Sequence, residues 1–124
     1  MPVIIGVAFG GALGASARYG LDRLIQRTLG GLFPWSTFLI NVSGCFLIGL
    51  FTAAFVDRHH LPAWLRIGIV MGVIGGYTTF STFAQESLTL VEARHMAIAA
   101  TYMVGSVGVG IVFVYLGGLT GRHF

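Results

Sequence analysis

Charged residues divide the chain into four long apolar blocks. Arg18 alone interrupts the first block, which runs to Leu21, and the other three, residues 28–56, 67–85 and 96–121, carry no charge. A helix that crosses a bilayer needs roughly 20 predominantly apolar residues, and each block provides them or nearly so. The pattern predicts an all-α integral membrane protein with four transmembrane helices, over residues 3–27, 35–56, 63–91 and 95–119.

Composition excludes a soluble globular domain. Hydrophobic residues make up 56% of the chain and charged residues only 9%, whereas soluble domains carry about 25% charged residues. The seven basic residues are scattered arginines, so no nucleic-acid partner is expected. Membrane lipid is expected to surround the four helices. Short connections are predicted to join them into one up-down-up-down domain, residues 1–124.

The arginines give these helices almost no preferred orientation. One side of the predicted bundle carries three arginines, and the other carries three, or four if Arg18 is counted. The positive-inside rule therefore assigns no clear topology. Either another feature orients the chain, or copies insert in both directions and pair as an antiparallel homodimer. Four packed helices leave no aqueous hole, so a permeation path also requires more than one copy.

Glycine recurs at every fourth position on the first and third predicted helices. Small residues at this spacing allow helix backbones to approach closely. The pattern is compatible with packing inside one subunit and with packing between two. The two stripes are Gly6, Gly10 and Gly14, and Gly68, Gly72 and Gly76.

The centre of the third predicted helix favours a break. Two pairs of poor helix formers, Gly75-Gly76 and Thr78-Thr79, lie there within an uncharged span. Irregular backbone at membrane depth is tolerated only where protein buries it or where it lines a cavity. The break would free carbonyl oxygens that can hold a cation. The alternative is a packed kink whose hydroxyls bond back to the helix.

Polar side chains inside the other predicted helices are candidate pore residues. Thr37 and Asn41 lie one turn apart on the second helix, and Tyr102 and Ser106 lie one turn apart on the fourth. Within lipid each must hydrogen-bond to protein or to a ligand, so helix packing is the competing interpretation. Arg18 either reaches the headgroups or lies in an aqueous mouth that attracts anions.

The remaining titratable residues form no catalytic arrangement. Glu86 is either a buried partner or an interfacial acid. The histidines lie in predicted connections or in the tail, and none has a metal-binding spacing with Cys45 or with a carboxylate. No nucleotide-binding glycine loop is present either. The chain is therefore predicted not to be an enzyme.

Three motifs occur together in the first three predicted helices. They read Gly10-Gly11-x-x-Gly14-Ala15-x-x-Arg18-Tyr19, Asn41-x-x-Gly44-x-Phe46-x-x-Gly49 and Gly75-Gly76-x-Thr78-Thr79-Phe80-Ser81-Thr82-Phe83. In combination with the chain length and the four-helix layout, they resemble the Fluc family of bacterial fluoride channels. The resemblance covers the whole chain.

This resemblance implies an antiparallel homodimer with two pores that exports fluoride passively across the bacterial inner membrane. It also implies a structural sodium ion on the dimer axis, bound by the carbonyl groups of Gly75 and Thr78 from both subunits. Arg18 would lie in the vestibule. The implied pore residues are Asn41, the phenylalanines Phe80 and Phe83, and the hydroxyl-bearing Thr37, Thr79, Ser81, Thr82, Tyr102 and Ser106.

Such a lining suits fluoride, which is small and strongly hydrated. Replacement donors must be numerous enough to offset dehydration, yet weak enough for the ion to leave. Amide and hydroxyl hydrogens meet that need, and the positive edges of phenyl rings can face an anion.

Two other functions are open at this point. A small proton-coupled multidrug exporter shares the chain length, the four spans and the weak charge bias. That mechanism needs an acid near the membrane midplane, and the first 21 residues contain none. The third possibility is a scaffold that transports nothing.

Overall fold

A computed structural model describes residues 2–56 and 61–124, and this part of the chain is helical, without strands. Four helices in it are long and apolar enough to cross a membrane. Their ends agree with the predicted spans to within two residues, which confirms the four-helix prediction. Most of the predicted second connection, including His59 and His60, lies outside the described residues. The helices are α1 (Val3–Thr28), α2 (Trp35–Val56), α3 (Ala63–Glu92) and α4 (Met96–Gly121).

The helix boundaries follow from local sequence. Proline, which lacks an N–H group and presets φ, directly precedes three helices, as Pro2, Pro34 and Pro62. At the end of α3, Arg94 adopts a left-handed φ of 62°. Its amide donates to the Val91 carbonyl at 3.0 Å, and the next amide returns to an earlier turn. This pattern is a Schellman motif, which ends α3 and allows α4 to begin two residues later.

The glycine stripes of α1 and α3 face each other inside one subunit. A Cβ atom on Gly10 would collide with the Gly68 carbonyl, and one on Gly14 would collide with the Val73 carbonyl. On the other side of the bundle, α2 packs against α4, where Gly49 lies against the Val114 carbonyl. Close backbone contact of this kind stabilises helix pairs in lipid, where no hydrophobic force drives helices together.

The helix α3 is bent at its centre. Residues Gly68–Ile74 are wound as a π-helix, and Thr78 and Thr79 then adopt extended dihedral angles before the helix resumes at Phe80. Thr79 caps the second part, because its hydroxyl accepts a hydrogen bond from the Thr82 amide at 3.3 Å. The break predicted from the glycine and threonine pairs therefore corresponds to a bend with two extended residues.

Most large apolar side chains point away from the subunit, as lipid surroundings require. Phe9, Leu13 and Ile111 are each about two-thirds exposed. One buried cluster is rich in aromatic rings. It is formed by Leu90, Ala99 and Tyr102, against which Phe33, Phe38 and Phe83 pack.

Substitution of Gly14 tests the contact between α1 and α3. In Gly14→Ala the new methyl would come within 2.9 Å of the Tyr77 nitrogen and closer to the Val73 carbonyl oxygen. Overpacking of this kind costs about 1–3 kcal/mol, so we expect a lower midpoint of thermal unfolding in detergent. The matched control is Gly11→Ala, whose methyl meets no atom within 4 Å. Equal midpoints for the two variants would contradict the packing described.

Candidate functional site

Asn41 on α2 holds the bend of α3. Its side-chain amide donates to the Thr79 carbonyl at 2.9 Å, and its side-chain oxygen accepts from the Thr79 N–H at 2.8 Å. Two residues further along α2, the Ser43 hydroxyl lies 2.8 Å from the Tyr77 hydroxyl. Backbone groups released from a helix must find other partners at membrane depth. Here α2 supplies them for the N–H and C=O groups of Thr79.

The bend also changes the surroundings of the two predicted sodium ligands. In a continuous α-helix the Thr79 N–H would bond to the Gly75 carbonyl, but Asn41 has taken that donor. The Thr78 carbonyl accepts one long bond, 3.4 Å, from Arg18 Nη1, and a carbonyl oxygen has two lone pairs. Both oxygens can therefore accept further interactions. Carbonyl oxygens are the hard ligands that sodium prefers, so the residues fit the ion.

A second type of metal site is absent from the described part of the chain. Residues 2–56 and 61–124 bring together no group of three histidine, cysteine or carboxylate side chains that could hold a metal ion. A cation at the bend would thus depend on carbonyl, hydroxyl or amide oxygens rather than on such a group.

The predicted pore phenylalanines differ in exposure. Phe80 is 79% exposed and points out of the subunit, whereas Phe83 packs against Tyr102 with ring centroids 5.1 Å apart. The two phenyl rings lie 5.8 Å apart. Phe80, Asn41, Thr78 and Thr79 line an open cleft of about 300 Å³ on the outer face of the bend.

Two buried hydroxyls on α4 have no hydrogen-bond partner among the described residues. They belong to Tyr102 and Ser106, which lie one turn apart. Tyr102 is fully buried and lies close to Thr37 and Glu86, without forming a hydrogen bond of proper geometry to either. A buried hydroxyl without a partner costs about 1–3 kcal/mol. Such groups point to a ligand or to water that completes their hydrogen bonds.

A larger cavity of about 910 Å³ opens at the end of the bundle where α1 meets α2. Its walls carry charged and hydroxyl groups from three helices. Five of the predicted site residues line it, and Thr79 also lines the smaller cleft. These five are Arg18, Thr37, Thr79, Ser81 and Thr82.

Two carboxylates that sequence reasoning did not place in the site also line this cavity. The Thr37 hydroxyl donates to Glu86 at 2.5 Å, and the Ser36 hydroxyl donates to Asp22. The Gln26 amide donates to both oxygens of Asp22 at 3.0 Å. One signal could have suggested Asp22, because Arg18, Asp22 and Gln26 follow each other at intervals of four and so share one face of α1.

Comparison with known proteins now decides the family. The family model for CrcB-like protein, Camphor Resistance (CrcB), matches residues 5–118. The chain belongs to the CrcB-like family. This assignment confirms the resemblance that the three motifs indicated.

Curated relatives of the CrcB-like chain carry the name Fluoride-specific ion channel FluC. The protein of Nitrobacter winogradskyi is 51% identical over 84% of this chain and 82% of its own length. That of Acidobacterium capsulatum is 49% identical over 94% of both chains. That of Chloroflexus aurantiacus is 40% identical over 98% of this chain and 96% of its own.

The family match and the four long apolar helices together establish what general class of protein this is. The CrcB-like chain is a multi-pass membrane protein, which in bacteria resides in the inner membrane. The relatives are named as ion channels, so the prediction that the chain is not an enzyme is also confirmed.

Replacement of Asn41 tests its role at the bend. In Asn41→Leu the Thr79 N–H and C=O groups both lose their partner, and each buried unpaired group costs about 1–3 kcal/mol. We expect a clear loss of unfolding free energy, measured by denaturant titration in detergent. Cys45→Ala, one turn further along α2, is the control and should cost less. A loss no greater than that of the control would contradict the proposed role.

Proposed function

We propose that the chain is a fluoride-selective channel through which fluoride leaves the cytoplasm passively. The names of the relatives support this function. The observation that carries it is the pair of buried hydroxyls on Tyr102 and Ser106 that lack partners. Inside a membrane bundle, such hydrogens are available to an anion that has lost its water.

The electrostatics of these donors favour a small halide. Hydroxyl and amide hydrogens can replace the hydration of fluoride without holding it as tightly as a fixed charge would. Arg18 lies on the wide cavity, away from the two buried hydroxyls. A cation in that position raises the local concentration of anions at the entrance without trapping them deep in the path.

The proposed path begins in the cavity beside Arg18 and passes the hydroxyls of Ser81 and Thr82, which are exposed to it. It then follows Thr37 to the interior, where the Phe83 ring lies against Tyr102, and continues to Ser106. Phenyl edges carry partial positive charge and add to the neutral donors. Every group along this inner stretch is uncharged except Glu86.

A second copy completes the proposed channel. Phe80 is exposed at the bend, and the cleft it lines also opens outward. The balanced arginines favour a partner inserted in the opposite direction, because neither orientation is preferred. We propose an antiparallel homodimer with two pores, each including a Phe80 ring.

Sodium fits the axis of this dimer. The Gly75 carbonyl has lost its helical donor to Asn41, and the Thr78 carbonyl retains a lone pair. In an antiparallel pair, residues near the two-fold axis meet their own copies, so four carbonyl oxygens would surround one ion. The ion would be structural, and it would stabilise the two bends rather than permeate.

Glu86 favours the alternative function, a proton-coupled exporter of organic cations. It is a half-buried acid within α3, and such residues serve as proton relays in transporters. Glu86 also lines the wide cavity beyond the bend, where a substrate could reach it. The proton-coupled exporter is therefore the second candidate.

Efflux from liposomes that contain the purified protein tests the function. We expect fluoride to leave down its gradient while chloride efflux stays at the level of protein-free liposomes, because chloride regains less from the same donors. An ion-selective electrode records both anions. Preparing the protein without sodium should lower the fluoride flux.

Three outcomes would contradict the proposal in different ways. Chloride efflux equal to fluoride efflux would remove the selectivity. Proton-driven uptake of an organic cation would support the exporter instead. Absence of any ion flux would indicate a scaffold.

The buried hydroxyls are tested by Tyr102→Phe and Ser106→Ala. Each change removes one donor and leaves the packing nearly unchanged, so we expect fluoride flux to fall about tenfold, the scale of one hydrogen bond to a charged group. Thr101→Ala is the control on the same helix, because the Thr101 hydroxyl is exposed and donates to the Ala97 carbonyl. Unchanged flux in both test variants would remove these hydroxyls from the path.

A further inference from the structure

The first turn of α2 is held by side chains of other helices rather than by a cap of its own. Pro34 directly precedes it and offers no side-chain cap. The turn contains Ser36 and Thr37, which are 7% and 5% exposed. Buried hydroxyls in a first turn need acceptors, and here the acceptors are carboxylates.

Each hydroxyl donates to a carboxylate from a different helix. Ser36 donates to Asp22 on α1, and Thr37 donates to Glu86 on α3. Consecutive residues of an α-helix point about 100° apart around its axis. The two bonds therefore constrain the rotation of this turn from two directions, and loss of one leaves Thr37 less precisely placed against Glu86.

Asp22 is well suited to this task. The Gln26 amide, one turn further along α1, also donates to both of its oxygens, but from an exposed position. Hydrogen bonds to a charged acceptor are stronger than those between neutral groups. A negative charge beside the beginning of a helix is also favourable, because it interacts with the helix dipole.

We propose that Asp22 is a positioning residue of the channel mouth. By accepting the Ser36 hydroxyl it sets the rotation of the first turn of α2, and this rotation aligns Thr37 with Glu86 at the cavity wall. The proposal rests on the proposed function, because the mouth it organises is the entrance for fluoride. Asp22 itself need not touch the ion.

Three variants separate positioning from charge. Ser36→Ala removes the bond to α2 and keeps the carboxylate of Asp22. Asp22→Asn keeps an oxygen that accepts from Ser36 and removes the charge. Gln26→Ala is the matched control, because it removes the other hydrogen bonds of Asp22 from an exposed residue without altering α2.

The readout is the dependence of flux on fluoride concentration in liposomes. For Ser36→Ala we expect the half-saturating concentration to rise about tenfold, the scale of one charge-assisted hydrogen bond, with flux at saturation within about twofold of wild type. Asp22→Asn should raise it less than Ser36→Ala does, because the amide oxygen still accepts the bond as a weaker, neutral acceptor, and Gln26→Ala should stay close to wild type. A merely structural defect would lower the saturating flux in proportion to the folded protein.

Two results would overturn the proposal. If Ser36→Ala matches Gln26→Ala, the bond to Asp22 does not position the mouth. If Asp22→Asn changes the half-saturating concentration as much as Ser36→Ala does, the charge of Asp22 matters rather than its bond.

A spectroscopic readout keeps the proposal independent of transport. The solid-state NMR shift of the Glu86 carboxyl carbon should move in Ser36→Ala and remain in Gln26→Ala. An unmoved shift in both overturns the positioning role even if the wild type conducts. Wild-type protein without fluoride flux would refute the proposed function, while the shift would still decide the coupling between Asp22 and Glu86.

Discussion

The structure depends on a constraint of the bilayer: a peptide group at membrane depth needs a partner, because lipid supplies none. Thr78 and Thr79 leave the helix inside a span long and apolar enough to cross the membrane. Asn41 meets this requirement at Thr79 with one donor and one acceptor on the same amide. Because that amide takes the Thr79 N–H, the Gly75 carbonyl loses its helical partner. The bend is thereby held in place, and the Gly75 carbonyl oxygen can accept another partner.

The sequence predicted the parts of this arrangement that depend on local pattern. Uncharged blocks long enough to span a bilayer have few alternative structures, so the predicted helix ends agree with those of the structure to within two residues. The glycine and threonine pairs likewise indicated the bend, because their conformational preferences act locally. The glycine stripes left two kinds of packing open, and the structure shows contact inside the subunit. The glycine spacing alone could not choose between them, because packing inside one subunit and packing between two subunits require the same small residues at the same spacing.

Partners distant in sequence could not be predicted in the same way. Asn41 and Thr79 lie 38 positions apart, and Thr37 and Glu86 lie 49 apart. Which side chains meet depends on how the helices rotate about their axes, and hydrophobic pattern fixes that rotation poorly in helices that are apolar on all sides. Asp22 and Ser36 were missed for this reason. Each is an ordinary polar residue until α1 and α2 bring the two together.

The bond between Asn41 and Thr79 is tested most directly by amide hydrogen exchange at Thr79 in the reconstituted wild-type protein, resolved by NMR. Thr79 has extended dihedral angles, so an N–H group there would exchange quickly if water reached it unpaired. The bond to Asn41 predicts exchange as slow as that of the helical amides on either side of the bend. Exchange at the rate of an exposed loop amide would contradict the account, because the bend would then lack the contact that holds it.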